Sequence, residues 1–417
     1  MISRRPTRRA LTNLGGEVDL GGSPEDAAVL ARALDVPAAP RAEERTDRAT
    51  EGEARAHVHG FHAYPARMHP GTAARLVESF IPAGGTVLDP FCGSGTVLVE
   101  AMLLGRNAVG TDLNPLAVAL SVMKTRVRGD GELHALVAAA RSVAAFADGR
   151  RKSRAGATQR YPDVDREAFD PHVLLELDGL RHGIYTEAPE HLRPDLLLVL
   201  SAILVKVSKR ESDTSTLEAP KRIAAGYAAR LLVKKTEELA DRLQELETLL
   251  PSPRPRVSVS IDDATRLDRV ASGSVDGVVT SPPYVATYDY LAHHALRLRW
   301  LDLDASAFEA HELGSRREYG ELSPHDAWDR WAHELHALLV ALARVTRKGG
   351  AVVLLMADSA VGDAPLPADE IVADVAHETA LVCVARASQP RPHFHKGTRD
   401  AFRTRPRAEH ALLLRRT

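Results

Sequence analysis

Cysteine is nearly absent: only Cys92 and Cys383 occur in 417 residues. A disulfide framework and a cysteine-based zinc site are thereby excluded. Aromatic residues make up 5%, and no apolar run reaches membrane-spanning length. The arginine-rich start lacks the apolar core of a signal segment, so a soluble, cytoplasmic protein that meets no membrane is expected. Neither sign of charge dominates, since the net charge is −2. The imbalance is local instead. From Arg386 to Thr417 there are nine Lys/Arg against two Asp/Glu. A second basic segment runs from Lys206 to Lys235, and Arg4, Arg5, Arg8 and Arg9 open the chain. Basic stretches in a near-neutral protein suit a polyanion met on one face, although each could equally be a solvated surface.

Hydrophobic residues (44%) and charged residues (26%) are in ordinary globular balance. Residues 1–55, rich in Ala, Arg, Glu, Gly and Pro, read as a mobile arm with one short helix near Pro24 to Leu34. From residue 56 the texture changes. Short apolar runs at 86–88, 107–110, 257–261, 275–280, 351–356, 381–385 and 410–414 read as strands. Helical patterns lie between most of them, and the alternation predicts a mostly parallel α/β sheet ending in an antiparallel hairpin. Residues 128–255 interrupt it with long helical patterns and no strand, closed by Pro251-Ser252-Pro253-Arg254-Pro255. Four parts result: an arm (1–55), a first half (56–127), a helical insert (128–255) and a second half (256–417).

Three strand ends carry acidic residues. Asp89-Pro90-Phe91-Cys92-Gly93-Ser94-Gly95-Thr96 joins a strand to a helix. Gly93 and Gly95 permit a tight turn and close approach of a ligand, and the helix start at Thr96 offers free N–H groups. No lysine follows the glycines, so a triphosphate is not the expected ligand. Asp112, with Asn114 beside it, ends the next strand and could accept from ribose hydroxyls. Asp263 and Ala264 end a third strand and could contact a base. Together these ends predict a nucleoside ligand at the carboxyl edge of the sheet.

The strand Val275 to Thr280 runs into Ser281-Pro282-Pro283-Tyr284. Proline cannot donate to a ladder, so the strand stops there and a stiffened backbone carries a hydroxyl, a carbonyl and a ring.

These segments resemble the amino-group DNA methyltransferases. Residues 87–96 are similar to their S-adenosyl-L-methionine loop and 280–284 to their catalytic motif. Phe61-His62-Ala63-Tyr64-Pro65-Ala66-Arg67 resembles the segment beside the methionine end of the cofactor, which brings in Tyr64 and Pro65. The resemblance covers about 57–127 and 257–417, in pieces. It implies a Rossmann-like, seven-stranded methyltransferase sheet with a C-terminal antiparallel hairpin, S-adenosyl-L-methionine as cofactor, and double-stranded DNA as partner. A restriction endonuclease is a further partner that such enzymes can have.

The chemistry fits the motif. An exocyclic base amine is a poor nucleophile because its lone pair is delocalised into the ring. Accepting hydrogen bonds from both N–H groups localises that pair. Ser281 could supply one acceptor and the Pro282 carbonyl the other, held by Pro283. Tyr284 could stack on a base flipped out of the duplex. Carbon-5 methylation of cytosine would need a cysteine nucleophile, and Cys92 and Cys383 have no such setting. In the family, Ser at position 281 mostly accompanies cytosine N4 and Asp mostly adenine N6, so N4 methylation of cytosine is expected. Alternatives are adenine N6, guanine N2 in RNA, and a DNA-binding protein that has lost catalysis.

The insert is expected to read the target, with Lys206, Ser208, Lys209 and Arg210 in the polar run 206–215 contacting DNA, and Arg399 and Arg403 joining them from the basic C-terminal loop. His293, His294, His393 and His395 lack metal-site spacing and are expected at the surface or on the DNA backbone; no metal is expected. Tyr288 and Tyr290 are candidates for the base pocket, and Trp300, Trp328 and Trp331 for the core.

Overall fold

A computed structural model describes residues 17–35, 52–213, 221–391 and 396–417. The N-terminal segment gives β1 (Asp19–Gly22) and α1 (Pro24–Leu34), the latter capped by Ser23 with proline in its first turn. Next come α2 (Pro70–Phe80), β2 (Thr86–Asp89), α3 (Thr96–Leu103), β3 (Asn107–Asp112) and α4 (Pro115–Thr125). The insert supplies α5 (Asp130–Lys152), α6 (Asp163–Ala168), α7 (Pro171–Glu187), α8 (Arg193–Val207) and α9 (Tyr227–Leu249). The second half begins with β4 (Val257–Ile261), β5 (Val275–Thr280), α10 (Tyr290–Trp300), α11 (Ser306–His311), α12 (Arg316–Tyr319) and α13 (Pro324–Val345). It closes with β6 (Thr346–Ala357), β7 (Ser359–Val361), β8 (Ala364–Leu366), α14 (Ala368–Ala376), β9 (Leu381–Pro390), α15 (Lys396–Ala401) and β10 (Ala408–Arg416).

Among the described residues one sheet has eight strands, in the order β1-β9-β10-β6-β5-β2-β3-β4. Strands β4, β3, β2, β5 and β6 are parallel neighbours. Strand β10 runs antiparallel to both β6 and β9, which forms the expected hairpin. The chain leaves β2 toward β3 and β4 on one side and later returns to β5 and β6 on the other. The crevice at the carboxyl ends of β2 and β5 is therefore the topological switch point, where such sheets take ligands. Seven of the strands, β9-β10-β6-β5-β2-β3-β4, make the Rossmann-like sheet with a C-terminal hairpin that the resemblance implied.

The eighth, β1, corrects the reading of residues 1–55 as a mobile arm. It pairs with β9, Asp19 opposite Ser388 through Gly22 opposite Ala385. Helix α1 then buries Ala27, Leu30, Ala33 and Leu34 against α2 and the sheet. A short strand with two glycines carries little propensity of its own, and its partner lies at the far end of the chain. Residues 1–16 and 36–51, including the four N-terminal arginines, lie outside the described residues.

Among the described residues the insert shares its core with the two halves. Leu136, Val143, Leu177, Ile203 and Leu232 share one apolar cluster with Leu120 of α4 and with Leu296 and Trp300 of α10. Helix α8 is apolar on nearly all sides, as befits a central helix. Its exit is pinned by charge. Arg297 of α10, with a side chain only 1% exposed, meets Asp213 through Nε–Oδ1 and Nη2–Oδ2 contacts of 2.9 Å each. Removing one member of such a buried, two-pronged pair strands the other, so Asp213→Ala should cost about 3 kcal/mol of stability. Denaturant unfolding of mutant and wild type checks this; a loss below about 1 kcal/mol would show that the pair holds nothing together.

Candidate active site

The cavity sits at the switch point. Its walls come from the 64–68 segment, the loop after β2, the ends of β3 and β4, the loop after β5, and residues 308–313. Tyr64, Pro65, Asp89, Pro90, Phe91, Gly93, Thr96, Asp112, Asn114, Ala264, Ser281 and Pro283 all line it, so most residues singled out from the sequence converge.

The loop after β2 is held open by backbone geometry and by α4. Gly93 has φ +49°, and a Cβ there would lie 3.3 Å from Tyr64 Cε1. Gly95 does not line the cavity. It caps α3 at φ +81°, where a Cβ would come within 3.0 Å of Ser121 Oγ. From beneath, Ser121 Oγ donates to the Gly93 carbonyl at 2.9 Å, and Lys124 Nζ donates to the Ser94 carbonyl at 2.7 Å. Lys124 is fully buried, and burial drives its ammonium well below the ordinary lysine range. No sequence signal marked it. Cys92 is buried in the apolar cluster under the loop and also borders the cavity.

Four carboxyl groups face this space. Asp112 accepts from the N–H groups of Gly93 (Oδ2) and Asn114 (Oδ1), both at 2.9 Å. Burial nevertheless raises its pKa to about 6. Asp89 accepts from Thr280 Oγ1 at 2.6 Å and from Phe91 N at 3.2 Å, and burial raises it to about 7. Asp262 replaces Asp263 as the acidic residue on the third strand end. Asp263 instead turns its carboxylate to Thr265, accepting from its N–H at 2.8 Å and its hydroxyl at 2.7 Å. Both lie just past the end of β4, and the turn that follows decides which of them borders the cavity. The fourth is Glu312, in a stretch where the sequence offered no motif.

In the motif after β5, Ser281 Oγ donates to the Leu355 carbonyl of β6 at 3.0 Å. Pro282 is buried and Pro283 lines the cavity. Tyr284 departs from expectation. Its ring is 4% exposed and is not part of the cavity wall, and its hydroxyl donates to Glu409 of β10 at 2.7 Å. Glu409 also meets Arg391. A tyrosine with a buried carboxylate in reach turns inward, and Tyr290 is the tyrosine on the wall beside Glu312. Tyr288 packs on Tyr290 with ring centres 5.4 Å apart.

Other placements differ from the sequence reading as well. His294 is not at the surface. It is buried, stacked on Tyr64 with ring centres 4.8 Å apart, and burial lowers its pKa to about 3, so it is a neutral packing group. Trp300 and Trp331 are buried and Trp328 is partly buried. His393 and His395 lie outside the described residues. In the polar run after α8, Ser208 is buried, and its hydroxyl donates to the Val205 carbonyl and accepts from Arg210 N, which removes it as a DNA contact. Lys209 lies 3.7 Å from Asp170, and Lys206 is exposed. Arg399 and Arg403 are exposed on the C-terminal hairpin's loop.

Residues 38–123 match the model of the N6/N4 DNA methylase family. Over that segment the chain is similar to the amino-group methyltransferases. It is 26% identical over 273 residues to the type II methyltransferase M.MvaI of Kocuria varians, which covers 59% of this chain and 58% of that one. It is 24% identical over 275 residues to the type II methyltransferase M.BsoBI of Geobacillus stearothermophilus, covering 59% of this chain and 53% of that one. The chain thus spans little more than half the length of these curated relatives. Among solved structures, the rRNA methyltransferase AviRa of Streptomyces viridochromogenes overlaps 90% of this chain and 96% of that one, at 14% identity and a TM-score of 0.32.

The family's methyl donor is S-adenosyl-L-methionine, and the residues present fit it. The Gly93 position leaves room that a side chain would fill, the buried hydroxyls of Ser94 and Thr96 have no partner, and the surrounding carboxylates suit a cation. Among the described residues no helix is long and apolar enough to cross a membrane.

The raised carboxyls make a pH test. Because Asp89 and Asp112 are raised above the ordinary value, they favour the fold when protonated, and that contribution is lost as pH rises through about 6 to 7. A ligand whose ribose hydroxyls donate to Asp112 selects the ionised form. Affinity for S-adenosylhomocysteine should be level above pH 7 and fall by up to about tenfold per pH unit below 6. Calorimetric titration from pH 5 to 8 checks it; a flat profile would remove Asp112 from the ligand's contacts.

Proposed function

We propose that this protein is a DNA methyltransferase that places a methyl group on the N4 amine of cytosine in double-stranded DNA. The observation that carries the proposal is the Ser281 hydroxyl. Its proton is spent on the Leu355 carbonyl, so its lone pairs are what the cavity meets. A hydroxyl fixed as an acceptor is the group that an amine N–H requires. The Pro282 carbonyl supplies the second acceptor, its direction limited by two consecutive prolines. Together they localise the nitrogen lone pair without reorganisation during the reaction. S-adenosyl-L-methionine, when bound, supplies the methyl group as an electrophile on cationic sulfur.

Asp112 holds the ribose hydroxyls, and Ala264 and Asp262 stand at the base end of the same ligand. The target base reaches the cavity only if turned out of the stack, as for any enzyme that acts on a base edge. Lys206, Lys209, Arg210, Arg399 and Arg403 are the proposed phosphate contacts, acting by charge rather than by base reading. The choice of cytosine over adenine rests on the neutral hydroxyl at Ser281. A hydroxyl places no charge beside the ring nitrogen of a small pyrimidine, whereas a carboxylate would.

Ser281→Ala removes one acceptor and should lower single-turnover methyl transfer by about 100-fold, in line with loss of one preorganised polar group. S-adenosylhomocysteine affinity should stay unchanged. Nucleoside analysis after reaction with labelled cofactor should find label in N4-methylcytidine. Label confined to N6-methyladenosine would overturn the choice of base and leave the acceptor role of Ser281 intact.

A further inference from the structure

After methyl transfer, one proton must leave the substrate nitrogen, and the motif after β5 cannot take it. The amine nitrogen forms its bond to the methyl carbon while the carbon–sulfur bond breaks, its electron pair staying on sulfur. The nitrogen then carries the methyl group, two protons and a positive charge. Ser281 is a neutral hydroxyl whose own proton already lies on a carbonyl, and a proline carbonyl holds no proton near neutral pH. Closing the site on a flipped base also removes bulk water as the first acceptor.

The carboxyl groups of the wall differ in what they have left to offer. Both oxygens of Asp112 are held by backbone N–H groups. Those of Asp262 accept from Asp263 N and Arg269 N. Asp89 accepts from Thr280 and Phe91 through one oxygen, Oδ1, which ties it into the loop after β2, and its Oδ2 is not sealed in the interior. Glu312 stands apart. It is 5% exposed, and Oε1 accepts from Tyr290 N at 2.7 Å at the start of α10. Its Oε2 has no hydrogen-bond partner, and the nearest cation, Arg317 Nη2, is 3.7 Å away. A buried carboxylate oxygen without a donor is costly for a fold to keep unless something uses it.

We infer that Glu312 is the proton acceptor of the reaction, taking through Oε2 the proton that the methylated amine releases. The inference rests on the proposed amine methylation. The proton leaves nitrogen, Glu312 becomes a neutral acid, and the products are the methylated amine and S-adenosylhomocysteine. Burial raises this carboxyl above its ordinary value, against the backbone N–H groups of Tyr290 and Leu291 and the charge of Arg317, with Asp289 raising it further. Tyr290, on the same wall, is the other titratable group facing it.

Glu312→Gln tests the inference, because the amide oxygen still accepts from Tyr290 N while the side chain can no longer take a proton. Single-turnover transfer should fall by about 100-fold, the lower end for general-base groups. Affinity for S-adenosylhomocysteine should be unchanged, which also shows that the variant is folded. Glu312→Asp keeps the acid and should retain more of the rate than Glu312→Gln. Wild-type transfer to a base amine carries the parent reading, and the ratio of variant to wild type carries this one. A rate within twofold of wild type in Glu312→Gln would reduce Glu312 to a helix cap. Weakened ligand binding would make it a cofactor contact instead, and a larger loss in Glu312→Asp than in Glu312→Gln would make shape, not proton acceptance, its role. Each of these three results overturns the assignment.

Discussion

One hydrogen bond joins the two halves of the chemistry. Thr280 Oγ1, at the last residue of β5, donates to Asp89 Oδ1, at the last residue of β2, over 2.6 Å. The two strands are parallel neighbours at the switch point, so their ends would be close in any case. What the bond adds is registration. The loop proposed to receive the cofactor starts at Asp89, and the proposed acceptor for the amine is the residue after Thr280. Both groups are buried, where a hydrogen bond to a carboxylate is strong and a missing one is costly.

The rest of the site is built outward from that contact. On one side Lys124 and Ser121 clamp the loop carbonyls from α4, and Asp112 takes the Gly93 N–H. On the other, Leu355 orients Ser281, and Glu409 holds Tyr284 to the C-terminal hairpin. Burial raises Asp89, Asp112 and Glu312 together. Several carboxyls crowded into one dry cavity are expensive when ionised, and a cationic ligand relieves that cost. The same arrangement suits the proposed sulfonium donor and the proposed proton acceptor.

Much of this was legible in the sequence because the chemistry uses residues with strong local signatures. Glycines at positive φ, consecutive prolines after an apolar run, and aspartates at strand ends announce themselves. What stayed hidden depends on partners distant in sequence. The turn after β4 brings Asp262 rather than Asp263 to the cavity, and nothing in the pair of aspartates says so. The inward turn of Tyr284 requires Glu409, which belongs to the last strand. Residues 308–313 reach the cavity from a segment without periodicity. Strand β1 exists only because β9 offers an edge, and the insert looked separable because its shared core with α4 and α10 is invisible without the fold.

The central claim is that cofactor loop and amine acceptor form one unit held by Thr280 and Asp89. Thr280→Val keeps the shape of the side chain and deletes the donor. Calorimetric titration of this variant with S-adenosylhomocysteine is the direct measurement. The account predicts a loss of affinity of about tenfold, the equivalent of about 1.4 kcal/mol and the scale of one buried hydrogen bond, although Thr280 does not line the cavity. Wild-type affinity in the variant would contradict it, and would mean that strand pairing alone sets the site.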